Sequence, residues 1–273
     1  MNSTVLVTAA TGTVGRHLVP QLLDRGAQVR VHDRSRPIAA QLSGVDAVFL
    51  ACPNVGEQVA YECAVVDAAA AAGIGRIVKL SARGARPGSR VAFWDWHARI
   101  ERHLADLDVP AVVLRPGFSM ANLLGQLGTV RDHGVLPVPA GDARVAMIDP
   151  ADVAACATAG LLDAVPPGCY ELTGAAAIGF AEVAAALTAV VGREVAFVDV
   201  PPEQAVPAMI ANGLPAFAAA QISHVFTELR AGAQREVTTE VQRLTGCRPG
   251  SLVRFLARVV PAEHRSDVGS LSA

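Results

Sequence analysis

Short, mainly apolar runs alternate with longer stretches of helical spacing through the first half of the chain. Val5-Leu6-Val7, Val29-Arg30-Val31, Val45–Ala51, Arg76–Ala82 and Ala111–Leu114 read as strands. Between them, helices are predicted over about Thr13–Asp24, Glu57–Ala72 and Val91–Leu107, with stops near Gly26 and Gly73 and breaks at Pro53 and Pro116-Gly117. A strand that is apolar on both faces, such as Val5-Leu6-Val7 or Ala111–Leu114, has no face to give to water, so it must be covered on both sides. Strands that alternate with helices meet that demand as a parallel sheet with right-handed crossovers. The predicted class is therefore α/β.

At the first turn the alternation carries a further signal. Thr8-Ala9-Ala10-Thr11-Gly12-Thr13-Val14-Gly15 follows a strand and opens a helix. Gly12 lets the backbone come close to a pyrophosphate, and Gly15 lets the helix pack against the first strand. The free N–H groups at the helix start then face the phosphates. Thr8, Ala10, Thr11, Gly12, Thr13, Val14 and Gly15 are thus candidate cofactor contacts in a Rossmann-type, doubly wound sheet. Ala9 stands where the usual spacing has its first glycine, which predicts a less free turn. After the second strand come Asp33, Arg34, Ser35 and Arg36. An acid there reads the ribose 2′-hydroxyl of NAD, and an arginine accommodates the 2′-phosphate of NADP. Two arginines favour NADP(H), with NAD(H) as the alternative.

Beyond Gly117 the rhythm loosens. Asn122–Arg144 is rich in Gly and Pro and is expected to be irregular. Val145–Ile148 and Cys169–Leu172 are predicted strands around a helix over Asp152–Leu162. From Phe180 the pattern is mainly helical, over Phe180–Val191, Pro202–Asn212 and Pro215–Leu229. The expected organisation is a dinucleotide-binding domain over 1–122, with strands returning near 144–175. A lid at 123–143 and a small, mainly helical C-terminal lobe at 176–273 would close over the sheet edge and take the substrate.

Composition removes several function classes. Of 273 residues, 52% are hydrophobic and 18% charged, which excludes a disordered chain. A formal net charge of −2 offers no basic field for nucleic acid. The apolar stretch Ala64–Ile74 is too short to span a bilayer, and no basic segment with a long apolar run opens the chain. No membrane or nucleic-acid partner is expected, and the location is read as cytoplasmic. Five cysteines, an odd number without a C-x-x-C pair, suit free thiols in a reducing compartment. No histidine has H-E-x-x-H spacing, so no metal is expected.

The chain resembles the NmrA-like branch of the atypical short-chain dehydrogenases/reductases. The likeness is carried by VTAATGTVGRHLV (Val7–Val19), GVDAVFLACP (Gly44–Pro53), VVDAAAAAGIGRIVKLSARGA (Val65–Ala85) and WHARIERHL (Trp96–Leu104). It continues in VVLRPGFSMANLL (Val112–Leu124), MIDPADVAACA (Met147–Ala157), YELTGA (Tyr170–Ala175) and VQRLTGCRPGSLVRFL (Val241–Leu256). The resemblance implies a Rossmann domain, a small helical lobe and an NAD(P) cofactor in most members. Ala51, Cys52 and Pro53 join the implied cofactor contacts, and the loop holding Pro116 and Phe118 is implied at the nicotinamide end. Arg115 in that loop can equally tie loops together.

Two departures from the family follow. Only Pro37–Ser43 fills the interval where relatives carry a third strand and its crossovers, so that strand is expected to be missing and the adenine contact with it. If the adenine site is lost, no dinucleotide would bind. The second departure is catalytic. The Tyr-x-x-x-Lys pair of the wider group falls on Phe93 and His97, counted back from Glu101. Ser81 sits at the position of the family's catalytic serine. His97 and Glu101 are four residues apart and are expected to pair on one helix face, which would raise the imidazole pKa and suit a general acid. Ser81 and His97 are the candidate catalytic residues, also counted as cofactor contacts. Phe93, Trp96, Met120 and Asn122 are the candidate substrate pocket, with the alternative that they are plain core.

The leading functional reading is an NADPH-dependent reductase of a small quinone, enone or ketone, of a kind met in secondary metabolism. A second reading is a redox sensor that binds NAD(P) without turnover. A third is an acid/base enzyme without cofactor: a dehydratase, isomerase or cyclase. Monomer and homodimer are not distinguished.

Overall fold

The computed structural model describes residues 3–107 and 109–260. They divide into two compact units: 3–117 (without 108) with 150–173 and 238–249, and 118–149 with 174–237 and 250–260. The elements in chain order begin with β1 (Thr4–Val7), α1 (Gly15–Asp24), β2 (Gln28–Val31), a 3₁₀ turn (Ile38–Gln41), β3 (Ala47–Leu50), α2 (Gln58–Ala71) and β4 (Arg76–Leu80). Next are α3 (Ala92–Asp106), β5 (Ala111–Pro116), a second 3₁₀ segment (Met120–Gln126), α4 (Leu127–His133), β6 (Val135–Val138), β7 (Arg144–Val145) and α5 (Pro150–Leu162). The last are β8 (Gly168–Leu172), β9 (Ile178–Gly179), α6 (Phe180–Val191), β10 (Ala196–Asp199), α7 (Pro202–Ala211), α8 (Ala216–Arg230), α9 (Glu240–Thr245) and α10 (Leu252–Val259).

The first unit is built on a six-stranded, wholly parallel sheet in the order β2-β1-β3-β4-β5-β8. The apolar runs behave as their composition demands: Val5, Leu6, Val7, Val48, Phe49 and Leu50 are fully buried. On one face, Leu6, Val48, Leu50 and Ile77 pack with Val65, Val66 and Ala69 of α2 and Leu104 of α3. On the other face α5 lies close to the sheet. A Cβ at Gly160 would come within 3.1 Å of Val78 and 3.3 Å of Val112, so a larger residue there would require these side chains to give by a few tenths of an ångström. The chain order jumps from β2 across β1 to β3, and this reversal is where open α/β sheets bind ligands.

The interval between β2 and β3 contains one 3₁₀ turn, and β2 stands at the sheet edge. Gln41 of that turn is buried, and its amide serves the chain beyond β2. The Asp33 N–H donates to Gln41 Oε1 at 2.9 Å, while Gln41 Nε2 donates to the carbonyls of Asp33 (2.9 Å) and Arg36 (3.1 Å). A side-chain amide thus satisfies one backbone donor and two backbone acceptors, as a neighbouring strand would.

The second unit holds two small sheets, β10-β6 parallel and β7-β9 antiparallel. Its core is Leu136, Val138, Phe180, Leu187, Phe226, Phe255 and Leu256. Two expectations are corrected here. Asn122–Arg144 is not irregular: it contains the second 3₁₀ segment, α4 and β6. Gly134, Pro139 and Gly141 fall between these short elements, but Gly125, Gly128 and Pro137 lie within them, which hid them. Val145–Ile148 is not a strand of the main sheet. Only Arg144–Val145 is a strand, paired with Ile178–Gly179, and Ile148 makes a single bridge to Ser119. All four residues are buried, Val145 and Met147 in the core of the second unit, and burial alone does not distinguish strand from coil.

The glycines of the first turn differ in what they tolerate. A Cβ at Gly15 would lie 1.9 Å from the Ala9 carbonyl oxygen, against 3.2 Å for one at Gly12. Gly15→Ala therefore forces α1 off the turn, and a loss of about 1–3 kcal/mol is expected. Gly12→Ala should cost clearly less, and thermal unfolding of the two variants checks the order.

Candidate functional site

Because the sheet is parallel, the carboxyl ends of its strands reach one edge. Thr8 follows β1, His32 follows β2, Ala51 follows β3, Ser81 follows β4, and Pro116 ends β5. Thr8 ties two of these ends together. Its hydroxyl donates to the Ala51 carbonyl at 2.7 Å and accepts from the Ala51 N–H at 2.8 Å.

The turn between β1 and α1 is closed by the Gly12 N–H on the Ala9 carbonyl at 3.1 Å. Gln234 is the one non-glycine residue with positive φ among the described residues. Ala9 therefore carries no left-handed strain, and the turn forms without the glycine that usually opens it. At the start of α1 the Arg16 N–H is taken by the Gly12 carbonyl at 3.1 Å and those of His17 and Leu18 by the Val14 carbonyl at 3.0 Å, so the N–H groups left for a ligand are those of Thr13, Val14 and Gly15, just ahead of them. Thr11 and Thr13 are exposed, and Ala10 and Gly12 half-buried.

Beyond β2, the side chains sort by what holds them. Asp33 Oδ1 accepts from the Ser35 hydroxyl (2.6 Å) and N–H (2.9 Å), and these bonds hold its pKa below the usual carboxylate value. The Arg34 guanidinium lies 4.7 Å over the Tyr61 ring and reaches Cys52 Sγ at 3.5 Å. The Tyr61 hydroxyl is in turn bonded to His32 Nδ1 at 2.9 Å. Arg36 is exposed, and its guanidinium has no partner among the described hydrogen bonds and ion pairs. Tyr61 was not among the sequence candidates. It lies on α2, and only the sheet order brings that helix beside the end of β2.

At the end of β4, Ser81 is buried and its hydroxyl donates to Glu101 Oε1. Glu101 also takes Arg115 in a two-point ion pair, with Arg115 Nε at 3.0 Å from Oε1 and Nη2 on Oε2. Arg115 is thereby a tie between β5 and α3. The expected His97–Glu101 pair does not form, because Glu101 is committed to Ser81 and Arg115. His97 points instead to a buried polar cluster. Its Nδ1 lies 3.1 Å from Lys79 Nζ and 3.4 Å from Gln58 Nε2. Lys79 pairs with Glu62 at 2.7 Å, and Gln58 Nε2 donates to Glu62 at 3.0 Å. Burial first, and the Lys79 cation second, hold the His97 pKa well below 6.5. The direction is opposite to the one expected from a carboxylate partner. A lysine inside the apolar run Arg76–Ala82 was the sequence signal for this cluster.

The remaining candidates are placed as follows. Phe93 and Trp96 are half-buried on α3, and Phe93 meets Trp94 edge-on at 6.4 Å. Cys52 is half-buried with its thiol pKa raised by burial, and Pro53 is exposed. Phe118, Met120 and Asn122 belong to the second unit. There Phe118 packs edge-on to Phe180 and Phe226, Met120 is core, and Asn122 is exposed. Among the described residues no group of His, Cys, Asp and Glu could hold a metal ion, and no helix is long and apolar enough to cross a membrane.

The sheet, its reversal point and the glycine turn define a Rossmann-type α/β protein. The NmrA-like family model matches residues 32–244, and the chain belongs to the NmrA-like family. It is 32% identical over 268 residues to an NAD(P)H azoreductase of Xenophilus azovorans, across 89% of this chain and 93% of that protein. It is 35% identical over 265 residues to the (4-alkanoyl-5-oxo-2,5-dihydrofuran-3-yl)methyl phosphate reductase of Streptomyces griseus, again across 89% and 93%. A solved NADPH-dependent quinone oxidoreductase of Escherichia coli superposes with a TM-score of 0.81 at 25% identity, covering 94% of this chain and all of that one.

His97 predicts a pH signature. Below pH 6.5 the unfolded chain binds a proton at this position and the folded chain does not, so stability falls as pH falls. The slope approaches about 1.4 kcal/mol per pH unit for one proton. Urea unfolding at pH 7 and pH 5 should show a smaller loss in His97→Gln than in the unaltered chain.

Proposed function

We propose that this chain transfers hydride from NADPH to a small conjugated acceptor, a quinone or an enone. It is an NAD(P)-dependent oxidoreductase by its relatives. The observation that carries the choice of acceptor is the commitment of both tyrosines. Tyr61 is bonded to His32 and stacked under Arg34, and Tyr170 donates to the Pro166 carbonyl at 2.6 Å. With two tyrosines in the chain, none is left at the edge of α3 to protonate a carbonyl. An unactivated ketone becomes a strongly basic alkoxide as it takes hydride and needs such an acid. A quinone or enone becomes an anion spread by conjugation and needs far less help.

The residues fit the cofactor. The α1 N-terminus with Thr8 and Ala10–Gly15 suits the pyrophosphate. Arg36 offers an unpaired guanidinium for a 2′-phosphate, Ser35 offers a hydroxyl, and Arg34 is fixed over Tyr61 beside it. Asp33 has one carboxylate oxygen already taken by Ser35, which weakens it as a partner for an unphosphorylated ribose. Ala51, Cys52 and Pro53 follow β3 on the same edge. Ser81, His97 and Pro116 are assigned to the nicotinamide end, and Phe93 and Trp96 to the acceptor side. The dinucleotide supplies the hydride; the chain orients the acceptor and keeps water away. The free thiols suit a reducing compartment such as the cytoplasm.

Fluorescence titration with NADPH and NADH tests the cofactor reading. NADPH should bind more tightly, and Arg34→Ala/Arg36→Ala should weaken it about tenfold or more while leaving NADH nearly unchanged. Binding without turnover of any quinone or enone would favour the sensor. Absence of binding by either dinucleotide would overturn the reductase.

A further inference from the structure

We propose that Lys79, Gln58 and Glu62 are positioning residues that hold His97 as a neutral ring with its proton on Nε2, so that the ring donates one fixed hydrogen bond to the acceptor oxygen as that oxygen gains charge. The role at the acceptor rests on the reductase reading given above; the tautomer does not.

Donor chemistry sets the tautomer. Both groups facing His97 Nδ1 are nitrogens that donate: the Lys79 ammonium at 3.1 Å and the Gln58 amide at 3.4 Å. An ammonium has no lone pair, so Nδ1 must accept and cannot carry hydrogen. A neutral imidazole with one accepting nitrogen has its proton on the other. The two donors are themselves held. Lys79 Nζ also reaches Glu62 at 2.7 Å and the Leu80 carbonyl, and Gln58 Nε2 also donates to Glu62 at 3.0 Å. Lys79, Glu62 and Gln58 are fully buried, so none of them can turn outward to water. Other charges do not compete. Glu101 on the same helix is bound by Ser81 and Arg115, and Cys52 and Cys63 on the α2 side keep neutral thiols through burial. To charge His97, an Nδ1–H would have to face a cation at hydrogen-bond distance.

A neutral imidazole N–H is a weak acid but a good donor, as the neutral histidine of a known isomerase illustrates. It stabilises a conjugated anion without giving up its proton. The acceptor receives a hydride from the reduced dinucleotide, both electrons going to its π system, and becomes a hydroquinone anion or an enolate. Water supplies the proton after release. This narrows the substrate class to acceptors whose reduced anion survives unprotonated.

The test is nuclear magnetic resonance of the full chain carrying ring-¹⁵N histidine, with His97 identified by the signals lost in His97→Gln. Long-range ¹H–¹⁵N spectra from pH 5 to pH 8 should show His97 with Nδ1 bare and Nε2 protonated throughout. A proton on Nδ1, or a ring that titrates in this range, overturns the proposal, and neither depends on activity. The second arm is Lys79→Met/Glu62→Gln, which removes both charges and leaves no lone buried ion. His97 should then titrate or mix tautomers. With 1,4-naphthoquinone as probe, kcat should fall at least about tenfold while KM for NADPH stays within about twofold. An altered tautomer with unchanged kcat overturns the positioning role. An unaltered chain that reduces no quinone, but shows the fixed tautomer, overturns the reductase reading and keeps the tautomer.

Discussion

In a parallel ladder every strand points the same way, so whatever follows the strands arrives at one edge. Thr8, His32, Ala51, Ser81 and Pro116 are far apart in sequence and share that edge for this reason alone. The sheet can be parallel only because both of its faces are covered, by α2 and α3 on one side and α5 on the other. The close seat of α5 at Gly160 and of α1 at Gly15 are local conditions of that coverage. The glycine turn, the arginines after β2 and the buried cluster under α3 depend on it.

The interior is unusual in what it accepts. Most of it is aliphatic, yet Lys79 and Glu62 form an ion pair with no exposure to water. Such a pair recovers its desolvation penalty only when its remaining donors and acceptors are also satisfied. Lys79 shares its remaining hydrogens with His97 and the Leu80 carbonyl, and Glu62 accepts from the Gln58 amide, while Gln58 Oε1 is buried with no hydrogen-bond partner among the described residues. A hydrophobic pair of the same volume would serve packing at least as well. The cluster also reverses the character of His97, from an acid near neutrality to an uncharged donor.

At the other end of the sheet, β2 is an edge strand, and the chain beyond it is held by a side chain. The Gln41 amide pins Asp33 and Arg36, and Arg30 is bound by the carbonyls of Gln41 (2.5 Å) and Ser43 (2.8 Å). The short segment 37–43 therefore presents Arg34 and Arg36 in a defined loop. The Arg34 guanidinium lies over the face of Tyr61, and Arg36 is exposed.

The sequence by itself determined the class of fold. Period, apolar runs and Gly/Pro punctuation are local properties, and a parallel α/β sheet is the arrangement that buries such strands on both faces. The glycine turn and the arginines after β2 were legible for the same reason, being contiguous in the chain. Asn122–Arg144 was misread because its elements are too short to show a period. The partners of His97 were also out of reach. Helical spacing offered Glu101 as its partner, but Ser81 after β4 and Arg115 on β5 bind Glu101 instead, while Lys79 of β4 and Gln58 of α2 meet His97 and are held by Glu62. Which of several compatible charges a side chain takes is settled by how strands and helices stack, and only the tertiary structure decided that.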